Sequence, residues 1–357
     1  AFPLPNSQTV QRIFSSILDE HLLDFEDIVR NLSSDLVQAS VDFYEKIIAE
    51  KLPVPSKFHY TFNLRDLSKV FMGLTRADGD SYREQKDLIS LWCHEMTRVF
   101  HDRLNDQEDR QWFFTTLEQT IEKGFKMRPD EITPRELFFS DIHSLQQERR
   151  YYEPVEFDKK LMSALEGSAV DYNDASSNKM ELVFFEDAIR HLLRLLRILS
   201  QSRGNGLLIG VGGLGKQSLT RLAAFMLDQE SISFEGGNRF DNIKFREWLR
   251  KEVLLKCAGP AAGKTGVPTC LLVAESMISS DTMLEYVSNL LNSGEVPNIF
   301  PPDEKAKLLK ELCELYGNLD EEARWERFVA RVRDNLHVML CMSPVGPKLA
   351  SRCRQFP

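Results

Sequence analysis

A glycine-rich segment in the second half of the chain has the residue types and spacing of a phosphate-binding loop. Residues 207–218 read LLIGVGGLGKQS, and they match G-x-x-x-x-G-K-[ST] except at the last position. Glycines let successive backbone N–H groups turn toward a phosphate beside the positive end of a helix dipole. Because an apolar strand pattern precedes the loop and a helical pattern follows it, the segment favours a nucleotide site over a glycine-rich turn without a ligand.

The residues predicted to contact the nucleotide phosphates form one continuous run: Gly210, Val211, Gly212, Gly213, Leu214, Gly215, Lys216, Gln217 and Ser218. Lys216 supplies a mobile cation to the β- and γ-phosphates. Gln217 stands where serine or threonine would ligate Mg²⁺, so the sequence predicts a nucleotide site that is a poor catalyst.

Composition sets the class of protein and excludes several partners. A length of 357 residues predicts about two domains. The formal net charge is −9, which disfavours nucleic acid and anionic membranes as partners. No apolar run approaches the ~20 residues of a membrane span. The six cysteines have no metal-ligand spacing, which favours reduced thiols. The first residue is Ala1, so we expect a piece of a longer chain.

The residue pattern divides the chain into three segments. Residues 1–125 show helical periodicity without a strand pattern, which predicts an all-helical bundle. Residues 126–180 carry prolines and a polar stretch typical of connecting structure. In residues 181–357, strands predicted at 207–210, 231–234, 269–274 and 336–342 alternate with helices predicted at 215–228, 241–257, 281–292 and 304–331. Alternation of this kind predicts a parallel sheet flanked by helices.

Several long segments resemble dynein heavy chains. RGNGLLIGVGGLGKQSLTRLA at 203–223 resembles the fourth AAA+ module of these motors, especially the ciliary ones, which show glutamine after the phosphate-loop lysine. Further similar segments lie at 182–188, 292–300, 341–346 and 352–357. Residues 58–71 resemble the helical lid of the third module. The resemblance implies an AAA+ P-loop core preceded by a lid, in a chain that stops before the core's last strand.

The resemblance also implies roles for the acidic motif. The predicted strand 269–274 is followed by Glu275 and Ser276. Glu275 takes the place of the family's metal-orienting aspartate and would hold Mg²⁺ through a bound water, although a solvated strand-end charge is the alternative. Ser276 stands where the family has its water-activating glutamate, and a hydroxyl is too weakly basic to replace it at neutral pH. Little or no hydrolysis is therefore expected.

The remaining candidate residues are also implied by the resemblance. Ser343 is the candidate sensor of the γ-phosphate, or part of an ordinary strand-end turn. Val183 and Phe184 are candidates for the adenine pocket, or core residues. Three arginines are expected to act in trans at the preceding module's nucleotide: Arg65, Arg352 and Arg354. For Arg65 and Arg352 the alternative is an ordinary surface ion pair.

Two other motif-like segments are not expected to bind ligands. Residues 258–265 imitate a second phosphate-binding loop, but a charged helical run precedes them instead of a strand. His94, Glu95 and His101 do not have the H-E-x-x-H spacing of a zinc protease, because Arg98 takes the second histidine's place.

The leading hypothesis from the sequence is a regulatory module of a microtubule minus-end-directed ciliary dynein in the axoneme. It would bind ATP or ADP with Mg²⁺ and contribute arginines to its neighbour. Its partners would be the other AAA+ modules and, through regions outside this chain, intermediate and light chains and microtubules. The alternatives are a structural ring spacer with an empty pocket and a self-sufficient AAA+ ATPase.

Overall fold

A computed structural model describes residues 5–145, 147, 149–234, 242–278, 280–317, 319–344 and 352 of the chain. It divides the chain into two units, residues 1–161 and 162–357. Each unit has its own hydrophobic core.

The first unit is helical, as the periodicity predicted. Its helices are α1 (Ser7–His21), α2 (Asp27–Arg30), α3 (Ser33–Glu50), α4 (Leu64–Leu74), α5 (Gln85–Val99), α6 (Gln107–Phe125) and α7 (Pro129–Ile132). Side-chain caps define several helix starts: Asn6 accepts a hydrogen bond from the Thr9 N–H, and Asn63 forms a capping box with Asp66 at α4. A short antiparallel pair, β1 (Phe139–Ser140) and β2 (Glu153–Pro154), follows the helices.

Aromatic side chains fill the core of the first unit. Phe14 of α1 stacks on Phe71 of α4, with 4.3 Å between ring centroids. Trp92 is fully buried in α5, and its indole N–H donates to the Ser40 hydroxyl over 2.8 Å. A buried aromatic side chain with its polar atom satisfied stabilises the fold without a desolvation penalty.

The β1–β2 segment belongs to this core although the sequence predicted connecting structure for residues 126–180. Phe139 and Tyr152 are both buried in it. The Tyr152 hydroxyl lies 3.1 Å from His94 Nε2 and donates to Glu95 Oε1 over 3.0 Å. His94 and Glu95 are fully buried in α5, so the hydrogen bonds to Tyr152 satisfy polar groups that would otherwise destabilise the unit.

Replacing Gly73 by alanine is expected to destabilise the first unit by about 3 kcal/mol. A Cβ at Gly73 of α4 would collide with the buried Glu95 carboxylate. The destabilisation from this overpacking and from the displaced carboxylate exceeds the stabilisation that alanine gives a helix relative to glycine. Gly124→Ala in α6 is the matched control, since its Cβ would meet only the Ala39 Cβ at 3.6 Å. Urea unfolding followed by tryptophan fluorescence compares the two, and equal midpoints would contradict the prediction.

The helices of the structure differ from the sequence pattern in three stretches. The segment from Leu22 to Ile47, which resembles one continuous helix in the sequence, is broken into a 3₁₀ turn (Leu22–Asp24), α2 and α3. The stretch 304–331 forms two helices because Gly317 adopts a left-handed φ of 69° and ends the first one. Residues 159–175 are helical although the sequence predicted a connection.

The second unit contains a four-stranded parallel sheet with strand order β3-β6-β5-β4. The strands are β3 (Gly206–Ile209), β4 (Glu230–Ile232), β5 (Thr269–Ala274) and β6 (Leu336–Met342). Its helices are α8 (Lys159–Ala175), α9 (Glu186–Leu199), α10 (Lys216–Met226), α11 (Asn242–Trp248), α12 (Lys256–Ala258), α13 (Asp281–Ser293), α14 (Pro302–Tyr316) and α15 (Glu321–Asn335). A π-helical turn, Leu249–Leu255, joins α11 to α12.

The two central strands are buried along their whole length. Every residue of β5 and β6 is buried, as expected for strands of a parallel sheet that is covered by helices. The predicted fold, a helical bundle followed by a P-loop α/β core, is confirmed. Among the described residues, no helix has the length and apolar character to cross a lipid bilayer.

Candidate nucleotide-binding site

The glycine-rich loop connects β3 to α10 at the carboxyl edge of the sheet. The Gly210 N–H donates to the Met342 carbonyl over 3.1 Å, which fixes the start of the loop to the end of β6. Gly213 and Gly215 have φ values of 82° and 72°, and this left-handed conformation explains why glycine is needed at both positions. Residues 211–214 are exposed, so the loop is open to a ligand.

Lys216 is the first residue of α10, and its side chain folds back over the loop. Its ammonium donates to the carbonyl oxygens of Gly210 and Val211 over 2.6 and 2.7 Å. A cation is therefore held inside a turn of backbone at a helix N-terminus, the arrangement that binds nucleotide phosphates. Gln217 and Ser218 follow in the first turn of α10 and are half-buried.

The acidic candidate lies at the same edge of the sheet. Glu275 directly follows β5, and it accepts a hydrogen bond at Oε2 from the Ser343 backbone N–H over 2.8 Å. Its other oxygen, Oε1, lies 3.2 Å from Arg352 Nη1. Arg352 also donates to the Ile278 carbonyl over 3.2 Å. Both oxygens of the predicted metal-orienting carboxylate are thus bound by groups of its own unit.

The two serines predicted at the site occupy different environments. Ser276 is exposed in the 3₁₀ turn Glu275–Met277, and it follows the strand at the position where a general base was expected from the family. Ser343 directly follows β6, and its backbone rather than its hydroxyl binds Glu275. Ser343 therefore lies beside the acidic residue, and its role as a sensor stays a prediction.

The adenine-pocket candidates lie in the extended segment before α9. Val183 is 81% exposed, whereas Phe184 is half-buried. The next residue, Phe185, is 61% exposed, although the sequence did not single it out. Exposed apolar side chains are available for contact with a nucleobase, and the adenine-pocket role of Val183 and Phe184 stays a prediction.

The three arginines predicted to act in trans have different surroundings. Arg65 is exposed near the start of α4, and within the described residues no carboxylate pairs with it. Arg352 forms an ion pair with Glu275 within its own unit; an ion pair was the alternative to its role in trans, although the sequence did not indicate Glu275 as the partner. Arg354 lies outside the described residues.

A cavity of about 540 Å³ adjoins the first two turns of α10. Residues 177–180, together with Tyr172 of α8 and Ser218 and Arg221 of α10, line it. The hydrogen bonds between Asn173 and the Met180 backbone, 2.8 and 2.9 Å long, fix the lining segment. We name it the α10 cavity. Sequence reasoning missed Arg221, although its spacing of three residues from Ser218 places both side chains on one face of the helix.

The two segments rejected from the sequence are explained by the structure. Residues 258–265 follow a helix, and the Arg331 guanidinium donates to the carbonyl oxygens of Gly259 and Gly263. Because a helix rather than a strand precedes this segment, it lacks the strand–loop–helix context of a phosphate-binding loop. His94 and Glu95 are core residues bound to Tyr152.

The residues at the site fit nucleotide phosphates better than they fit magnesium. The open loop, its two left-handed glycines and the Lys216 ammonium suit polyphosphate. Magnesium prefers oxygen ligands in octahedral geometry, but Gln217 replaces the usual hydroxyl, and both Glu275 oxygens are already bound. Among the described residues, no cluster of three or more His, Cys, Asp or Glu side chains is arranged to hold a metal.

Comparison with protein families gives two matches that follow one another along the chain. Residues 180–357 match the family described as the P-loop containing dynein motor region D4. Residues 13–110 match the family described as the dynein heavy chain ATPase lid domain. The phosphate-binding loop and Glu275 both lie in the first of these matches.

Comparison with individual proteins extends the similarity over nearly the whole chain. Dynein axonemal heavy chain 6 of Homo sapiens is 40% identical over 99% of this chain and 9% of its own length. Dynein axonemal heavy chain 1 of Mus musculus is 38% identical over 92% of this chain and 8% of its own length. The dynein-1-beta heavy chain of the flagellar inner arm I1 complex of Chlamydomonas reinhardtii is 37% identical over 99% of this chain and 8% of its own length.

The chain thus spans less than a tenth of the length of these relatives. Their similarity covers both units, with the lid family in the first and the motor-region family in the second. The chain belongs to the dynein heavy chain family, and it contains a lid domain followed by a P-loop AAA+ motor region.

Proposed function

We propose that the second unit is a regulatory nucleotide-binding module that binds ATP or ADP with little or no hydrolysis. The observation that carries this proposal is the conformation of the loop 210–215, in which two left-handed glycines and the Lys216 ammonium surround a space open to solvent. Such a loop binds phosphates through backbone N–H groups and one mobile cation. A structural spacer would need neither the glycines nor the lysine.

The absence of hydrolysis follows from the positions of Gln217 and Ser276. Phosphoryl transfer requires a group that orients or deprotonates the attacking water and a metal that neutralises developing charge. Ser276 provides no carboxylate at the end of β5, and Gln217 provides no hydroxyl for the metal. Glu275 would be the residue to hold Mg²⁺ through a bound water, in competition with its ion pair to Arg352.

The arginines connect this module to its neighbour in the proposal. Arg65, Arg352 and Arg354 would approach the nucleotide of the preceding module, where an arginine in trans stabilises phosphoryl charge. Arg352 pairs with Glu275 over 3.2 Å, so its trans role requires that this ion pair open. Nucleotide binding at the loop would then favour the opening, because Glu275 gains a competing cation.

The place of the module in the cell is proposed from its relatives, whose names assign them to axonemes and to a flagellar inner arm. We place the whole protein in the ciliary axoneme, as part of a minus-end-directed microtubule motor. Its partners would be the other AAA+ modules of the same heavy chain and, through regions outside this chain, intermediate and light chains and microtubules.

Calorimetry with ATP and ADP in the presence of Mg²⁺, combined with a phosphate-release assay on the same sample, tests the proposal. Saturable binding with phosphate release at the background rate is the expected result. Sustained phosphate release would instead support a self-sufficient ATPase. A chain that binds neither nucleotide at millimolar concentration would be a structural spacer.

A further inference from the structure

Two of the side chains that line the α10 cavity are positively charged. Lys179 and Arg221 both contribute to its wall, and its described lining contains no aspartate or glutamate. Within the described parts of the chain, neither of these two cations forms an ion pair with a carboxylate.

The cavity adjoins the first two turns of α10, the helix that follows the phosphate-binding loop. Ser218 belongs to the first turn after Lys216 and lines the cavity, and Arg221 lies one turn further on. At a rise of about 1.5 Å per residue, Arg221 is about 7.5 Å along the helix axis from Lys216. That separation suits a nucleotide whose terminal phosphates lie at the helix N-terminus and whose α-phosphate and ribose follow the helix.

Arg221 and Lys216 also act electrostatically on a common residue. Burial raises the pKa of the Cys341 thiol to about 11, and the positive charges of Lys216 and Arg221 oppose that rise. Cys341 lies in β6 near the carboxyl edge of the sheet. Both cations therefore act electrostatically on the strand whose carboxyl end fixes the start of the loop.

A nucleotide at this loop needs positive charge from the protein. In a complete site, magnesium held by a hydroxyl and an aspartate neutralises part of the polyphosphate charge. Here Gln217 and the paired Glu275 make the magnesium site poor, whereas two further cations line the cavity beside the first two turns of α10. Arginine is well suited to this role because its guanidinium binds phosphate through parallel hydrogen bonds.

We propose that the α10 cavity takes the α-phosphate and ribose of the bound nucleotide, and that Arg221 and Lys179 replace much of the charge neutralisation that magnesium supplies elsewhere. The ligand is a nucleoside di- or triphosphate, and its binding depends little on magnesium. This inference rests on the proposed nucleotide-binding function, and it makes Arg221 an affinity-determining residue of that site.

The test is calorimetry of ADP binding to the purified chain, once with Mg²⁺ and once with EDTA. The wild-type dissociation constant is expected to change less than about threefold between the two buffers. Arg221→Gln is expected to weaken binding about 10-fold or more in EDTA, Lys179→Gln to weaken it less, and Arg221→Lys to retain most of it. Arg203→Gln is the matched control, because Arg203 pairs with Asp334 and precedes β3 at the opposite edge of the sheet.

The outcomes separate this inference from the function on which it rests. Wild-type binding that is lost in EDTA, or an Arg221→Gln chain that binds like wild type, would overturn the role of the cavity and leave nucleotide binding intact. A wild-type chain that binds no ADP in either buffer would overturn both. Equal urea midpoints for the wild type and the Arg221 variants show that the loss of binding is local rather than a loss of fold.

Discussion

Lys216→Ala is expected to weaken ATP and ADP binding about 100-fold. The Lys216 ammonium lies inside the loop, 2.6 and 2.7 Å from the Gly210 and Val211 carbonyls, and a bound phosphate would take over its hydrogen bonds. A charge-assisted hydrogen bond contributes about 1.5–3 kcal/mol, and 3 kcal/mol corresponds to about a 150-fold change in affinity. Calorimetry on wild type and variant measures the difference.

The matched control for this experiment is Lys264→Ala. Lys264 belongs to the segment 258–265, which imitates a phosphate-binding loop in sequence, but its side chain is exposed, and Arg331 binds the carbonyl oxygens of Gly259 and Gly263 in that segment. Its removal is expected to leave nucleotide affinity unchanged. If Lys264→Ala reduced binding as much as Lys216→Ala, the assignment of the site to the loop after β3 would be wrong.

The sequence predicted the nucleotide loop well because its chemistry is local. The glycines, Lys216 and the strand and helix on either side are contiguous in the chain, so their types and spacing define the motif without knowledge of the fold. The structure confirms the strand, the loop and the helix at 206–226. The same holds for β5 and β6, since each is a continuous apolar run of the kind found in buried parallel strands.

Features that depend on distant residues could not be predicted in the same way. The ion pair between Glu275 and Arg352 joins residues that are 77 positions apart. The sequence around either residue does not indicate its partner. The burial of His94 and Glu95 depends on Tyr152, which the β1–β2 segment brings into the helical core. In sequence Arg221 resembles any charged residue of an amphipathic helix, and only the fold brings Tyr172 of α8 and residues 177–180 to the cavity that it lines.

The second large effect concerns hydrolysis. Wild-type chain is expected to release phosphate from ATP only at the background rate, because the exposed Ser276 stands at the end of β5 where a general base is needed. A positioned general base contributes about 10²–10⁴-fold to the rate of such a reaction. Restoring both missing groups with Gln217→Thr and Ser276→Glu is therefore expected to raise phosphate release at least about 10-fold, measured in a steady-state assay.

The control is the same variant with Ser276→Gln in place of Ser276→Glu, which keeps the side-chain size and removes the carboxylate. It is expected to remain at background, and so is the glutamate variant once Lys216→Ala is added. The comparison isolates the base from the effects of size and nucleotide binding. Wild-type release that disappears in Lys216→Ala would mean that another group activates the water. In that case the module would be an active ATPase, and serine at position 276 would not prevent hydrolysis.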